Sequence, residues 1–416
     1  MIRSLKSLRS LRVAGFLARK AIVRANIGVT LLTVFILVLV ALNLLFTPGL
    51  LSGVIASANN KLISTYTSHL VIEAGGLKEQ NFKINHVSDL MQEIESINGV
   101  VAATARNTIG ANIQYKDNTD QERQVNCIVD AIMPDREEKV FDINHSLIEG
   151  SYLDPRDRDQ ILLGMQIAGA DDSSVELYIR SLRHVHAGDK VTLTYSNGFK
   201  KQYTVKGIFH TAFIQSDVQA QISELEYESI VPDAHDAATE VHVRLEDNAN
   251  ADQIIKRIAM FDSSVDFQTW EQNAGIVNSM TTSFQILNQI LDVVNALVAG
   301  VTVFIVTYVD VINKRRQIGI QRAIGIKNVA IMFSYLIRAL CYVAVGLIGA
   351  RFLFEYAVMP FEAGHPFIFP FGPVYLALDN GQMIHTAVLL LVVSLVAAFI
   401  PVWLTIRIKI LDAIWG

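Results

Sequence analysis

Few residue combinations in this chain could carry out covalent chemistry. The sequence contains no G-x-x-x-x-G-K-[ST] phosphate loop and no G-x-S-x-G, H-E-x-x-H or C-x-x-C motif. His184 and His186 could supply half of a metal site, but no third ligand is evident in the sequence. Residues 154–159 are acidic but lack the glycine and distal glutamate of a calcium loop, which favours a solvated turn. We therefore expect no catalytic residue, metal or cofactor on this chain.

A basic segment between two apolar runs is more informative. Residues 313–328 contain five Lys or Arg residues and no Asp or Glu. If residues 314–325 are helical, Ile320, Ala323 and Ile324 share one face, and Gly325 is placed to end the helix. An apolar face flanked by arginines is suited to a groove with acidic rims. The predicted docking segment consists of Arg315, Arg316, Gln317, Ile318, Gly319, Ile320, Arg322, Ala323, Ile324 and Gly325.

Arg338 is a charged residue within an apolar run. Charges inside a membrane are costly, and they are usually paired or functional. Asp310, near the end of the preceding apolar run, is the candidate partner. The alternative is that the span begins later and that Arg338 extends toward the membrane surface.

Four apolar segments must position these residues. The chain is 51% hydrophobic and 18% charged, which indicates membrane spans combined with a sizeable soluble part. Each segment has about 20 largely apolar residues, enough to cross a ~30 Å hydrocarbon layer. The predicted order is an amphipathic helix at 1–26, a span at 27–48, an extracytoplasmic domain at 49–275, a stalk and second span at 276–312, a coupling helix at 313–328, a third span at 329–351, an outer loop at 352–385, and a fourth span with a tail at 386–416.

The charge distribution predicts the orientation. Seven Lys or Arg residues and no acidic residue precede the first span, whereas residues 50–275 contain 19 Lys and Arg against 34 Asp and Glu, a net charge of −15. Positive charge stays on the cytoplasmic side. Both termini and the 313–328 loop are therefore predicted to be cytoplasmic in a multi-pass cell-membrane protein. The acidic outer domain also argues against a nucleic-acid partner.

The outer domain shows a weak internal repeat. A strand, a helix and a second strand are predicted in residues 66–109 and again in residues 236–275. Together the two halves would build one α/β subdomain. Between them, residues 110–235 are predicted to be a β-rich insertion. Its clearest part is a hairpin that turns at Asn197 and Gly198. The predicted fold class is an α+β membrane protein with four transmembrane helices, a large extracytoplasmic α/β domain and a helical stalk.

The stalk is predicted from apolar residues that recur every three or four positions before the second span. These residues are Ile276, Met280, Phe284, Leu287 and Leu291. A helix over 276–312 would be ~55 Å long, about 25 Å more than the membrane core needs. Residues 50–65 could extend the first span in the same way, and the two apolar stripes would pack on each other. The alternative is a domain-core helix at 276–291 followed by a loop.

The loop sequence RRQIGIQRAIG resembles the RREIGLLRAIG stretch of the FtsX-like permease family, which includes the membrane subunits of macrolide-exporter and lipoprotein-releasing ABC systems. Further similar stretches are EGSYLDPRDRDQILLGMQIA and AGDKVTLTYSNGFKKQYTVKGIF in the outer domain, ARKAIVRANIGVTLLTVFIL at the first span, and IPVWLTIRIKILDAIWG at the end.

The sequence departs from the family pattern at Gln317, where the family has an acidic residue, and at Arg338, where Glu or Gln is frequent. It also departs at Ile410 and Trp415, where the family has Pro and Arg.

The resemblance implies a dimer of two permease chains, with two copies of a separate ATPase that binds ATP and Mg and grips residues 314–325. It also implies mechanotransmission, in which ATP-driven closure passes through the stalks to the outer domains. These would expel or extract an amphiphilic or peptide-like client, with or without an adaptor protein. The alternative is a force or signal transducer that activates an extracytoplasmic partner such as a cell-wall hydrolase. The large outer segment favours export, because division-type members have a much smaller one.

Overall fold

The structure is a computed structural model that describes residues 2–23, 27–75, 83–116, 121–170, 175, 179–246, 249–261, 265–273, 275–369, 372–378 and 380–407. The chain divides into two compact units. The helical unit consists of Met1–Ile55, Thr281–Phe367 and Val374–Gly416, and the α/β unit consists of Ala56–Met280 and Ile368–Pro373.

The helices and strands are numbered in chain order. The helices are α1 Ile2–Val23, α2 Ile27–Leu62, α3 Val87–Glu95, α4 Pro134–Val140, α5 Met165–Ala168, α6 Ile214–Asp217, α7 Glu224–Ile230, α8 Ala251–Phe261, α9 Trp270–Asn273, α10 Gly275–Asn313, α11 Arg315–Ala323, α12 Asn328–Leu353, α13 Met359–Gly364 and α14 Asn380–Arg407. The strands are β1 Leu70–Ala74, β2 Ile84–Asn85, β3 Val100–Lys116, β4 Glu122–Ile132, β5 Leu147–Gly150, β6 Gln160–Gly164, β7 Lys190–Tyr195, β8 Lys200–Phe209, β9 Gln219–Ser223, β10 Ala237–Ala238, β11 Glu240–Leu245, β12 Val265–Thr269, β13 Phe367–Phe369 and β14 Gly372–Val374. Ile63–Thr67 and Phe354–Val358 are π-helical turns.

Within the described residues, four helices are long and apolar enough to cross a membrane, and they lie in α2, α10, α12 and α14. The predicted fold class of four apolar helices plus a large α/β domain is confirmed. Helix α2 continues past Pro48 to Leu62, because proline removes a single backbone donor and neighbouring turns can hold the helix.

Part of the predicted 352–385 loop is helical instead. The π-helical turn at Phe354–Val358 continues α12 directly into α13. Arg351 and Glu355 form an i,i+4 ion pair of 2.9 Å across this junction. Pro360 lies just after this π-helical turn, at a point where the α-helical hydrogen-bond pattern is already interrupted. The helical segment then continues to Gly364.

Small residues bring the helices of the helical unit close together. Ala41, Ala299, Ala350 and Ala398 are buried in its central cluster. A Cβ on Gly346 would lie 3.0 Å from the Cβ of Leu37, so α12 and α2 touch closely there. Helix α1 packs against α12, and Ala14 and Ala18 on α1 are buried. The side chains of residues 2–12, half of the predicted amphipathic helix, lie outside the described part.

The α/β unit is built on a ten-stranded sheet with the order β12-β1-β11-β3-β4-β9-β6-β8-β5, in which β7 also pairs with β3 and β8. The two strand–helix–strand halves supply β1, β3, β11 and β12, and helices α3 and α8 pack on them. The core there includes Leu90, Ile94, Ile258 and Val243. The hairpin of β7 and β8 turns at Gly198, whose φ of +86° lies in the left-handed region that favours glycine.

Strand β3 crosses the predicted boundary between the first half and the insertion. It pairs with β11 through residues 100–106 and with β4 through residues 106–116. Buried Ala111, Ile113 and Tyr115 continue the alternation beyond residue 110. Strand β3 therefore runs without interruption through the boundary predicted near residue 110.

Candidate functional site

The candidate site is built around α11, the short helix between α10 and α12. Its C-terminus forms a Schellman motif, in which the Ile326 N–H donates to the Gln321 carbonyl at 3.1 Å and the Gly325 N–H donates to the Arg322 carbonyl at 3.0 Å. Gly325 has a φ of +93°, a conformation that favours glycine. The motif satisfies the last carbonyls of α11 and lets the chain turn directly into α12.

One side of α11 is fixed to the helical unit. Ile318 is 2% exposed, and Gly319 is also buried. Ile318 belongs to a cluster that contains residues of α10, α12 and α14, namely Val311, Ile331, Tyr335, Val402 and Ile406. Ile318 and Gly319 were predicted to be part of the docking segment, but they face the bundle instead. The cluster therefore packs α11 against one end of three long helices.

The other side of α11 is open. Ile320 is 44% exposed and Ile324 is 76% exposed, and Ala323 between them is exposed as well. Arg315, Arg316 and Gln317 are exposed at the start of the helix, while Arg322 is half-buried. The helix thus presents three apolar side chains on a surface bordered by cationic groups, an arrangement suited to docking a partner with a groove and acidic rims.

Arg338 and Asp310 form an ion pair inside the helical unit. The Arg338 side chain is 7% exposed and the Asp310 side chain is 22% exposed. Asp310 also meets Lys314, with 3.2 Å between Nζ and Oδ1. The guanidinium carbon of Arg338 lies 4.8 Å from the ring centre of Tyr335, a cation–π distance. The structure therefore pairs Arg338 within the bundle rather than extending it to the surface.

We expect the Asp310→Asn variant to be destabilised more than the Arg338→Gln variant. Loss of the carboxylate leaves two cations without their shared partner, whereas loss of Arg338 leaves Asp310 paired with Lys314. Because this pair is partly exposed, the expected loss is about 1–3 kcal/mol for Asp310→Asn and smaller for Arg338→Gln. Thermal unfolding of the purified variants in detergent measures both, and an equal or reversed order would contradict the shared-partner arrangement.

Helix α10 is continuous from Gly275 to Asn313, so the alternative of a short core helix followed by a loop is wrong. Leu287 is 49% exposed and Leu291 is 38% exposed, while Phe284 is half-buried. The side chains of Ile276 and Met280, the other two predicted stalk residues, lie outside the described part of the chain. The described part of the stripe is therefore largely uncovered, and the expected packing of two stripes does not bury Leu287 and Leu291.

The α/β unit contains a buried polar network that no sequence motif indicated. Arg106 forms an ion pair with Glu137 in which both side chains are at most 4% exposed. Thr104 Oγ1 donates to Glu137 Oε2 at 3.1 Å, and the Arg106 guanidinium lies 3.9 Å from the Phe141 ring centre. Arg106 and Glu137 are 31 residues apart in the chain. No local pattern indicates the pair, because an arginine in an alternating strand usually faces water.

The same network holds the end of α2 within the α/β unit. Its last turn, Ile63–Thr67, leaves backbone carbonyls without helical partners. Ser216 Oγ donates to the Thr65 carbonyl at 3.0 Å, Arg106 Nη1 donates to the Tyr66 carbonyl at 3.3 Å, and His242 Nδ1 lies 3.0 Å from the Thr67 carbonyl. Three consecutive carbonyls are thus held by side chains from different parts of the unit.

We expect a pH dependence from Asp130 in this network. The pKa of its carboxyl is raised from 3.8 to about 6, chiefly because the group is buried. The nearby Arg106 charge opposes this rise in pKa, whereas the Glu240 and Glu137 charges add to it. Between pH ~4 and ~6 the folded protein therefore binds more protons than the unfolded chain, so stability falls as pH rises through this window. The Asp130→Asn variant should lose this dependence and be more stable than wild type at pH 7.5, by up to about 3 kcal/mol.

Urea unfolding followed by the fluorescence of Trp270 measures this effect, in a background where Trp403 and Trp415 are replaced by Phe. Trp270 packs beside Leu62 and Phe213 in the α/β unit. Equal pH dependence in wild type and Asp130→Asn would show that another group is responsible.

The two sequence candidates for metal binding have other partners. His186 Nδ1 lies 3.0 Å from the Glu149 carboxylate. In the acidic stretch, Asp157 pairs with Lys206, and Asp159 pairs with Lys201. In the described part of the chain, no group of three His, Cys, Asp or Glu side chains is arranged to hold a metal ion.

Comparison with known proteins gives a family match for the C-terminal part of the chain. Residues 292–410 match the family model of the FtsX-like permease C-terminal domain. A search of curated proteins found no match. Among solved structures, the chain is similar to the periplasmic region of MacB from Actinobacillus actinomycetemcomitans, with 12% identity, a TM-score of 0.34, and coverage of 52% of this chain and 94% of that one. It is also similar to the extracellular domain of the noncanonic ABC-type transporter YknZ from Gram-positive bacteria, with 10% identity, a TM-score of 0.32, and coverage of 48% and 99%.

The family match covers the later part of α10 and all of α11, α12, α13 and α14. It confirms the resemblance noted in the sequence for this part of the chain, where α11 lies inside the region similar to the FtsX-like permease C-terminal domain. The four long apolar helices are those of a multi-span membrane protein.

Proposed function

We propose that this chain is the membrane subunit of an ABC transporter. We further propose that α11 is the coupling helix on which a separate ATPase docks and through which it moves the chain. The observation that carries the proposal is the division of α11 into two faces. Ile318 is buried in the cluster that joins α10, α12 and α14, whereas Ile320 and Ile324 are 44% and 76% exposed. A loop that merely reversed direction would not need an anchored helix with an open apolar face.

The proposed mechanism begins with ATP binding, which draws two ATPase subunits together. Each ATPase carries one α11 with it, and the Ile318 cluster passes the displacement to the end of α10. Because α10 is one continuous helix of 39 residues, it transmits motion over its length without an intervening hinge. The α/β units then close and expel or extract an amphiphilic or peptide-like client. The basic loop and termini are cytoplasmic in this arrangement, and the acidic α/β unit is outside.

The proposal includes a second copy of the permease. Along α10, Ile286, Ile290, Leu297 and Val301 are each more than half exposed, together with Leu287 at 49%. Lipid can cover such side chains at membrane depth, but α10 is longer than the ~30 Å membrane core needs, so those toward its outer end would face water. A second α10 that packs on the same stripe would bury both copies, as the isologous interface of a symmetric dimer does.

The test is an affinity pull-down of the tagged full chain in mild detergent, with mass spectrometry of the bound proteins. A stoichiometric ATPase that carries a phosphate-loop motif is the expected result. Recovery of the well-folded chain without such an ATPase would overturn the proposal. Recovery of an ATPase together with a cell-wall hydrolase, and no transport of a client, would favour the transducer alternative.

A further inference from the structure

Two adjoining cavities in the helical unit differ in chemical character. The first has a volume of about 330 Å³ and lies among α1, α11 and α12. Its polar lining consists of Lys20, Lys314, Gln317, Gln321, Ser334, Tyr335 and Arg338. The lining thus offers three cationic groups and two amides, all of which can donate hydrogen bonds to an anion.

The second cavity is mainly apolar. It has a volume of about 370 Å³ and lies between α2, α10 and α12, with Ile36, Ile305, Val306 and Ala339 among its lining residues. Lys314, Tyr335 and Arg338 line both cavities and form their common wall. A polar chamber therefore meets an apolar chamber at the end of the spans nearest α11.

The charge on the two linings is unbalanced. Among the described lining residues, Lys20, Lys314 and Arg338 bring three positive charges, and Asp310 brings the one negative charge. The net charge is therefore +2, which attracts an anion; the phosphodiester of a phospholipid, with its single negative charge, would lower it to +1. A free phosphate or a nucleotide would leave the apolar chamber unfilled, whereas a molecule with a phosphate head and a hydrocarbon tail satisfies both chambers.

We infer that the two cavities together bind one anionic phospholipid from the leaflet at the α11 end of the spans. Its phosphate lies among Lys20, Lys314 and Arg338, and an acyl chain lies between α2, α10 and α12. Basic pockets between spans suit anionic head groups, because lysine and arginine gain both charge pairing and hydrogen bonds there. The inference concerns a ligand of the helical unit itself and does not depend on the identity of the ATPase.

Native mass spectrometry of the full chain, with dioleoyl phosphatidylglycerol or dioleoyl phosphatidylethanolamine added, tests the inference. One phosphatidylglycerol per chain is expected to be retained in preference to phosphatidylethanolamine. The double variant Lys20→Gln, Lys314→Gln should bind phosphatidylglycerol about thirtyfold more weakly. The matched control is Arg316→Gln, Lys327→Gln, which also removes two positive charges but at exposed residues outside both linings. It should bind within about twofold of wild type.

A second variant tests the apolar chamber separately. Val306 is half-buried in the lining, so Val306→Trp would fill the space for an acyl chain and leave the three cations in place. This variant should lose phosphatidylglycerol as well. Three results would overturn the inference: equal retention of phosphatidylethanolamine, an equal loss in the control double variant, or full competition by glycerol phosphate, which would show a site for a free anion. None of these results bears on whether an ATPase co-purifies.

Discussion

The Ala323→Asp substitution is expected to weaken binding of the ATPase proposed to dock on α11 by at least about 100-fold, equivalent to roughly 3 kcal/mol. Ala323 is exposed between Ile320 and Ile324, at the centre of the open face of α11. Docking would strip water from a new carboxylate that has no cationic partner in an apolar groove. Because Ala323 is exposed in the chain alone, the variant should fold normally. Affinity can be measured with the purified ATPase, together with its stimulation by the permease.

The matched control for this prediction is Asn328→Asp. It adds the same charge five residues away, at the first residue of α12, where a carboxylate is favoured by the helix dipole. This control should bind the ATPase as wild type does. Arg322→Glu should act in the same direction as Ala323→Asp by placing an acidic group against an acidic rim. If Ala323→Asp and Arg322→Glu both leave ATPase binding and stimulation intact, docking through this face is wrong.

The spans and the two α/β halves could be predicted because their signals are local. A run of about 20 apolar residues or an alternating strand is visible in any short window of sequence. The position of the β3 boundary was not predictable in this way. Strand β3 serves two parts of the sheet at once, through β11 and through β4, and it runs without a break past the residue where its partner changes.

The site on α11 was predictable in part. The spacing of Ile320, Ala323 and Ile324 defines one face of a helix, but Ile318 lies about 200° from Ile320 around the same helix. Both isoleucines are apolar, so the sequence does not say which of them faces the bundle. Only the arrangement of Val311, Ile331 and Val402 decides that Ile318 is the buried one.

The buried network of the α/β unit would matter to the proposed mechanism if α2 carries force as α10 does, because that force would have to be resisted at the end of α2. The carbonyls of Thr65, Tyr66 and Thr67 are held by Ser216, Arg106 and His242. Arg106 is in turn held by Glu137, through Nε at 2.8 Å from Oε1. Glu137 thus supports the end of α2 through Arg106, without touching α2 itself.

The Glu137→Ala substitution is therefore expected to destabilise the α/β unit by about 3–5 kcal/mol, because it leaves the Arg106 charge buried without its partner. Urea unfolding followed by Trp270 fluorescence in the full chain measures the loss, and Trp270 lies in the same cluster as Tyr66. Glu138→Ala removes the same side chain at the adjacent exposed position and should change stability by less than about 0.5 kcal/mol.

A double variant separates the charge from the packing. Arg106→Met combined with Glu137→Leu removes both charges and retains apolar volume, so it should recover much of the loss. It cannot restore the donor to the Tyr66 carbonyl, however. Hydrogen exchange at the end of α2 should therefore remain faster than in wild type even where global stability returns. Wild-type exchange there would mean that Arg106 stabilises the sheet but does not hold α2.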